Sequence, residues 1–183
     1  VDDTVIRKAA RDDIPGVARI YDAITTLEAE GEIHIGWVKG VYPVEEDALE
    51  ALEAGELFVA EENGEIVAAG RMNHSQMKEY AEGSWSVDAP PEKVLVLHTL
   101  CVLPSAGGRG LASDFVRFYE RLAAKKGCVS LRMDTGVINS RARALYKRLG
   151  FAEAGTVMCD FNDTGRIELV LLEKPLCGGE ERS

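Results

Sequence analysis

The 183-residue sequence has little cysteine, little histidine and no long apolar run, and each shortage excludes a class of protein. Its four cysteines include no Cys-x-x-Cys pair and do not cluster with the three histidines, so we expect neither a disulfide framework nor a bound metal. The sequence has neither a run near the twenty apolar residues of a membrane span nor a basic and apolar leader. We therefore expect a cytoplasmic protein that does not bind a membrane.

Positive charge is also scarce. The chain has 21 Lys and Arg against 31 Asp and Glu, a formal net charge of -10, which disfavours nonspecific binding to nucleic acid. Cationic or neutral partners are favoured instead, and a homodimer is left open. With 46% hydrophobic residues the chain is long enough to bury one core. We expect a single domain over residues 1–183, with 176–183 as a flexible tail.

Apolar periodicity and turn residues predict the order β-α-α-β-β-β-α-β-α-β-β. The predicted strands cover residues 4–9, 57–61, 65–72, 93–102, 128–133, 151–159 and 166–173. A first helix starts near Asp12, a second runs from Pro43 to Gly55, and two more follow the glycine-rich turn and Asn139. The order indicates an α/β fold with a mixed, twisted sheet.

A glycine turn between a strand and a helix is the most informative local feature. The strand breaks at Pro104, and the sequence Gly107-Gly108-Arg109-Gly110 leads into a helix. Glycines let backbone N–H groups point inward, and the helix start adds unpaired donors and a positive dipole end, so this turn is suited to a pyrophosphate. A Walker loop would need Gly-Lys-Ser/Thr, and a dinucleotide fingerprint would need a third spaced glycine; both are missing.

A second motif follows about thirty residues later, from Asn139 to Phe151. Asn139 is a suitable N-cap, Gly150 a suitable helix stop, and the apolar residues between them share one helix face. With the glycine turn, this stretch resembles the GNAT family of acyl-CoA-dependent N-acetyltransferases, whose patterns are R/Q-x-x-G-x-G/A and N-x-x-A-x-x-L-Y-x-x-x-G-F. The second pattern matches at every named position, whereas the first has Gly107 in place of Arg or Gln.

The resemblance implies a single GNAT domain with a mixed, twisted, mostly antiparallel sheet, flanking helices and acetyl-CoA as acyl donor. In that family the strand before the glycine turn and the strand after the next helix splay apart, and the cofactor arm lies in the gap. The implied cofactor-binding residues are Leu100, Cys101, Val102, Gly107, Gly108, Arg109, Gly110, Leu111, Ala112, Asn139 and Tyr146. Arg109, Arg141 and Arg143 are expected to make the site locally basic.

The transfer of an acetyl group from a thioester to an amine needs an unprotonated amine and a proton for the departing thiolate. Spacing alone favours Tyr146 as a core aromatic, whereas the resemblance implies that it is the proton donor, since a phenol and a thiol have similar pKa values. Asn139 is an N-cap by position and a cofactor ligand by resemblance.

The group that takes the amine proton is less evident. GNAT enzymes often have Glu at the strand position that His98 occupies, and histidine titrates in a useful range. His98 is equally well interpreted as a core histidine bonded to backbone. Asp134 and Thr135, at the end of the next strand, form a second candidate pair, although such a sequence is common in turns.

Trp37 and Tyr42 precede the second helix, where GNAT acceptor specificity usually lies, so we expect them, with Asp134, to bind the acceptor. Both aromatics are also compatible with a lid over the core. The predicted function is acetyl transfer from acetyl-CoA to a primary amine of a small molecule or peptide, by direct attack in a ternary complex. The alternative is a non-catalytic acyl-CoA-binding sensor or docking module.

Overall fold

The computed structural model describes residues 4–160 and 165–177. Within these residues the strands are β1 Val5–Lys8, β2 Leu57–Glu62, β3 Glu65–Asn73, β4 Val94–Val102, β5 Ser130–Gly136, β6 Ala152–Asp160 and β7 Arg166–Pro175. The α-helices are α1 Ile14–Ala29, α2 Glu45–Glu53, α3 Leu111–Lys125 and α4 Ser140–Arg148. The predicted order of elements is confirmed. The predicted tail lies outside the described residues except for Leu176 and Cys177, and the Leu176 N–H donates to the Val129 carbonyl over 2.9 Å.

One sheet contains all seven strands in the order β1-β2-β3-β4-β5-β7-β6. Every neighbouring pair is antiparallel except β4 and β5, so the mixed, mostly antiparallel sheet is confirmed. No helix in this part of the chain is long and apolar enough to cross a membrane.

Local turn chemistry explains why some predicted ends of strands and helices agree with the structure and others differ from it. Asn63 and Gly64 have φ of 50° and 80°, the backbone that a two-residue β2-β3 hairpin requires. The strand predicted to start at residue 128 starts instead at Ser130. The reason is that Cys128 still belongs to the end of α3: its N–H donates to the Ala123 carbonyl over 3.0 Å, after Gly127 at φ 71°.

The parallel pair β4-β5 is short, and its end creates the site. Registered pairs run only from Val94 with Ser130 to Val96 with Arg132, after which the strands separate. On the other side of β4 the register with β3 shifts at a bulge that contains Thr99, whose φ is 53°. Positive φ is strained for a β-branched residue, so the bulge is a specified feature of the fold rather than a loose end.

Helices cover both faces of the sheet. Phe58 and Val59 are neighbours in β2 and point to opposite faces, and they pack in different core clusters. Val59 packs with residues of α1 and α2, whereas Phe58 packs with residues of α3 and α4. We call these the α1 face and the α3 face. Beyond β4, side chains of β4, β6 and β7 on this face pack with the connection between β3 and β4, in which Tyr80 is buried.

Candidate active site

A cleft of about 950 Å³ runs through the gap between β4 and β5. Its lining includes Ile24 and Trp37 from the α1 face and Leu100 and Leu145 from the α3 face, so the cleft passes from one face of the sheet to the other. The predicted strand edge of Leu100, Cys101 and Val102 lines it. Two ligands that enter from opposite faces can therefore meet in the gap.

The glycine turn lies at the α3-face end of the cleft. Gly108 and Gly110 have φ of 80° and 86°, and a Cβ built on either would meet nothing within 4 Å. The left-handed backbone requires glycine, and the space beside it is open to a ligand. Gly110 is the N-cap of α3, so the N–H groups of Leu111 and Ala112 belong to the first turn, where donors have no intrahelical partner. This geometry fits a pyrophosphate group.

Gly107 and the Arg109 side chain, which were both predicted to bind the cofactor, make contacts within the protein. The Gly107 N–H donates to the Pro104 carbonyl over 3.1 Å, so this residue closes a 3₁₀ turn instead of offering its N–H to an anion. The Arg109 side chain points away from the cleft lining and pairs with buried Glu62 of β2 over 2.9 Å. Both groups thus have partners within the protein, and the predicted roles of Gly107 and Arg109 in binding the cofactor stay predictions.

The positive charges that line the cleft come from α4 and its end. Arg141 lines it as expected, and Arg148, which sequence analysis did not select, lines it too. Arg143 instead makes two hydrogen bonds of 2.8 and 3.0 Å to the Glu153 carboxylate and donates to the Val137 carbonyl. Helical spacing explains the difference, because residues 141 and 148 lie two turns apart on one face of α4.

Helix α4 also brings Asn139 and Tyr146 to the cleft. Asn139 caps the helix by accepting from the Ala142 N–H over 3.2 Å, and it donates to the Thr135 hydroxyl over 3.3 Å. Tyr146 is buried, and its ring packs edge-on against Phe151 at 6.0 Å. Burial, followed by the nearby Asp134 charge, raises the pKa of Tyr146, so the phenol is protonated at neutral pH. The interpretation of Tyr146 as a packed core residue is thus compatible with its interpretation as a proton donor.

The connection from α1 to α2 forms the α1-face wall of the cleft. The Glu28 carboxylate holds it by accepting from the N–H groups of Ile35 and Gly36, over 2.7 and 3.1 Å. Trp37 and Tyr42 lie edge to face with ring centroids 6.3 Å apart, and both line the cleft. The Tyr42 and Thr99 hydroxyls share a hydrogen bond of 2.5 Å, which ties this wall to the β4 bulge.

Asp134 of β5 lies in the cleft and is half-buried. Its Oδ2 accepts a 2.6 Å hydrogen bond from the Tyr80 hydroxyl. Burial raises the pKa of Asp134, and the bond from Tyr80 opposes that shift by stabilising the carboxylate. A carboxylate with a raised pKa, held in a cleft, is suited to bind an ammonium group or to take its proton.

His98 lies on β4 but is outside the lining of this cleft. Its Nε2 is 2.7 Å from Oδ1 of Asn73, whose own Nδ2 donates to Glu56 over 3.0 Å. Burial and then the Arg71 charge lower the pKa of His98 to about 4, so the imidazole is neutral at neutral pH. These contacts resemble those of a core histidine, and the role of His98 as base stays a prediction.

Two further groups, which local sequence patterns do not indicate, shape the site. Tyr119 of α3 is fully buried, and its hydroxyl donates to the Leu95 carbonyl and lies 3.1 Å from that of Arg132, where the β4-β5 ladder ends. The connection that carries Tyr80 is held by the stacking of Arg132 on Trp85, at 4.2 Å from the ring centroid. All these contacts join residues far apart in sequence, so periodicity could not reveal them.

Comparisons with known proteins point to the same family as the two sequence motifs. A profile of the Acetyltransferase (GNAT) family matches residues 21–151. An aminoglycoside N(6')-acetyltransferase type 1 from Salmonella typhimurium is 32% identical over 114 residues, which cover 61% of this chain and 74% of that protein.

Solved structures agree on the fold. A GNAT acetyltransferase from Streptococcus agalactiae superposes with a TM-score of 0.75 at 21% identity, covering 97% of this chain and 98% of that one. A Salmonella typhimurium structure that contains its cofactor acetyl-CoA has a TM-score of 0.68 at 18% identity, covering 96% and 95%.

Proposed function

This chain belongs to the GNAT acetyltransferase family, and we propose that it transfers an acetyl group to the primary amine of a small molecule or peptide within a ternary complex. The chain is an acyltransferase that uses acetyl-CoA. When bound, acetyl-CoA supplies the acetyl group as a thioester, whose carbonyl carbon bonds to the amine nitrogen as the carbon-sulfur bond breaks.

The α3-face end of the cleft holds the cofactor in this proposal. The N–H groups from Gly108 to Ala112 bind the pyrophosphate. Arg141 and Arg148 add local positive charge, which the anionic cofactor needs because the chain as a whole has a net charge of -10. The Leu100–Val102 edge and Asn139 line the path from this turn to the gap between the strands. The open space beside Gly108 and Gly110 supports this assignment.

Tyr146 protonates the leaving thiolate in this proposal. The phenol lines the same cleft as the glycine turn and Asp134, and its raised pKa keeps the proton available at neutral pH. General acid catalysis of this kind contributes about 100- to 10,000-fold to the rate.

Asp134 is the better-supported partner for the acceptor amine. It lies in the cleft beside Tyr146, whereas the described contacts of His98 engage Asn73 outside it. The His98 hypothesis requires its imidazole to reach the amine directly or through water. The aromatic pair Trp37 and Tyr42 stands on the acceptor side and completes the wall.

The observation that carries the proposal is a single cleft with an open glycine turn at one face of the sheet and a half-buried carboxylate at the other. The test measures thiol release from acetyl-CoA with a panel of amines and with no amine, together with calorimetric coenzyme A binding. Amine-dependent release is expected. A protein that binds coenzyme A and releases no thiol with any amine would instead be the non-catalytic module.

A further inference from the structure

We infer that the acceptor is an apolar monoamine, that is, one primary ammonium group on an aliphatic or aromatic body, and not a polycation. This inference rests on the proposed function and names the substrate class of the same site.

The walls of the cleft on the α1 face are mostly hydrocarbon, with His34, Thr99 and Thr135 as uncharged or titratable polar members. Side chains from α1, from the connection after it and from β7 meet there: Ile24, Leu27, Ile33, Ile35, Ile167 and Leu169. Trp37 adds an indole ring, and Tyr42 presents its ring while its hydroxyl is engaged by Thr99. Burying an apolar body against such walls is favourable in proportion to the area removed from water.

Among the described residues of the cleft, negative charge is confined to two carboxylates. Among the described residues that line the cleft, the carboxylates are Asp134 and Glu32, and Glu32 is an exposed residue at the mouth. A second ammonium group would have to lie against hydrocarbon or stay outside in water, and an unpaired buried charge is strongly disfavoured. One ammonium group at Asp134 satisfies the one carboxylate that the described residues set within the walls.

The connection from α1 to α2, which forms this wall, is held in place by specific contacts. Glu28 accepts from two consecutive N–H groups of the connection, and a Cβ on Gly36, at φ 88°, would lie 2.4 Å from Cδ1 of Ile167. The connection therefore packs directly on β7, across the mouth of the gap. Such a preformed apolar slot favours a compact substrate over a long polar one.

The acidic surface of the protein has a separate role. A net charge of -10 attracts every cationic amine, including polyamines and aminoglycosides, and raises the encounter rate without selecting among them. Selection then depends on the cleft walls, because discrimination is set by contacts that differ between substrates. The similarity to an aminoglycoside acetyltransferase in sequence thus does not carry over to the acceptor.

The test compares kcat/KM from thiol release for propylamine, butylamine, hexylamine and 2-phenylethylamine with the values for spermidine and kanamycin. For the alkylamines we expect kcat/KM to increase about four-fold per added methylene, which is the factor that corresponds to the free energy of transferring one methylene out of water. Spermidine and kanamycin should fall at least about 100-fold below hexylamine. A flat chain-length series, or a preference for either polycation, would overturn the inference.

A matched pair of variants tests the wall itself. Ile33→Asp puts a carboxylate in the wall, and Val41→Asp makes the same change at a 41% exposed residue of the same connection that does not line the cleft. Ile33→Asp should lower kcat/KM for hexylamine about ten-fold and raise it for spermidine, whereas Val41→Asp should change the ratio of the two little. Equal effects of both variants would count against the assigned wall.

The failure of this inference differs from failure of the proposed function. If polycations are acetylated better than the monoamines, transfer to an amine stands and only the substrate class is wrong. If coenzyme A binds but no amine of either set, nor of the wider panel that includes peptides, releases thiol, the proposed transfer is wrong, and the substrate class falls with it.

Discussion

The Tyr80 hydroxyl donates a 2.6 Å hydrogen bond to Oδ2 of Asp134. This contact links the connection between β3 and β4 to the carboxylate in the cleft. Because Tyr80 does not itself line the cleft, it acts as a positioning residue for Asp134. The arrangement gives the carboxylate a fixed orientation and keeps part of its charge stabilised despite burial.

Tyr80→Phe should move the acidic limb of kcat/KM to higher pH. Burial raises the pKa of Asp134 and the Tyr80 bond lowers it, so loss of that bond raises it further. In the proposed function Asp134 works as a carboxylate, so activity should then appear only at a higher pH. The pH profile of thiol release checks this, with Tyr21→Phe as a control at a buried tyrosine outside the cleft lining. A profile that overlays the wild type would assign Tyr80 to packing alone.

Tyr146→Phe should fold normally and turn over about 100- to 10,000-fold more slowly, since it keeps the ring packed on Phe151 and loses the proton donor. Coenzyme A affinity by calorimetry and the thermal midpoint should be close to wild type. An unchanged kcat, in conditions where chemistry limits the rate, would leave Tyr146 with a packing role only.

Gly110→Asp should weaken coenzyme A binding on the order of 100-fold, because it places a negative charge where the pyrophosphate approaches. Gly64→Asp is the matched control. Gly64 in the β2-β3 hairpin has φ of 80°, close to the 86° of Gly110, and a Cβ on either meets open space. Both variants should lose similar stability, and only Gly110→Asp should lose affinity. Equal affinities would remove the turn as the phosphate site.

Arg148→Gln should lower coenzyme A affinity roughly two- to five-fold at low salt, and less at high salt, as expected for an exposed charge pair. Arg143→Gln removes the same charge from the same helix, but its guanidinium is engaged by Glu153. That variant should leave the affinity within about two-fold of wild type. Calorimetry at two salt concentrations distinguishes them, and a larger loss in Arg143→Gln would reverse the assignment.

His98 should make the fold less stable as the pH falls. Its pKa is about 6.5 when unfolded and about 4 when folded, so between these values the unfolded chain binds a proton that the native one does not. Stability should fall on the order of 3 kcal/mol from pH 6.5 to 4. His98→Gln should lose less over this range in urea unfolding, while His34→Gln, at an exposed histidine, should follow wild type. If His98→Gln also abolishes the acidic limb of kcat/KM, His98 is the base after all.

The sequence predicted those features whose causes are local. The hairpin at Asn63 and Gly64, the cap at Asn139 and the turn at Gly108 and Gly110 each depend on backbone conformations that a few neighbouring residues set. For the same reason the order of strands and helices was correct, and so was the placement of the glycine turn before α3.

Tertiary structure decided which side chains reach the cleft. Tyr80 and Asp134 are 54 residues apart, Arg109 finds its partner Glu62 across the sheet, and His98 turns toward Asn73 on the neighbouring strand. No local pattern contains these pairings, because they depend on how β4 separates from β5 after Val96 and on where the connections then pack. The sequence by itself determined the family, the fold and the cofactor, whereas long-range packing decided which carboxylate lies in the cleft and which side chains line the cleft with it.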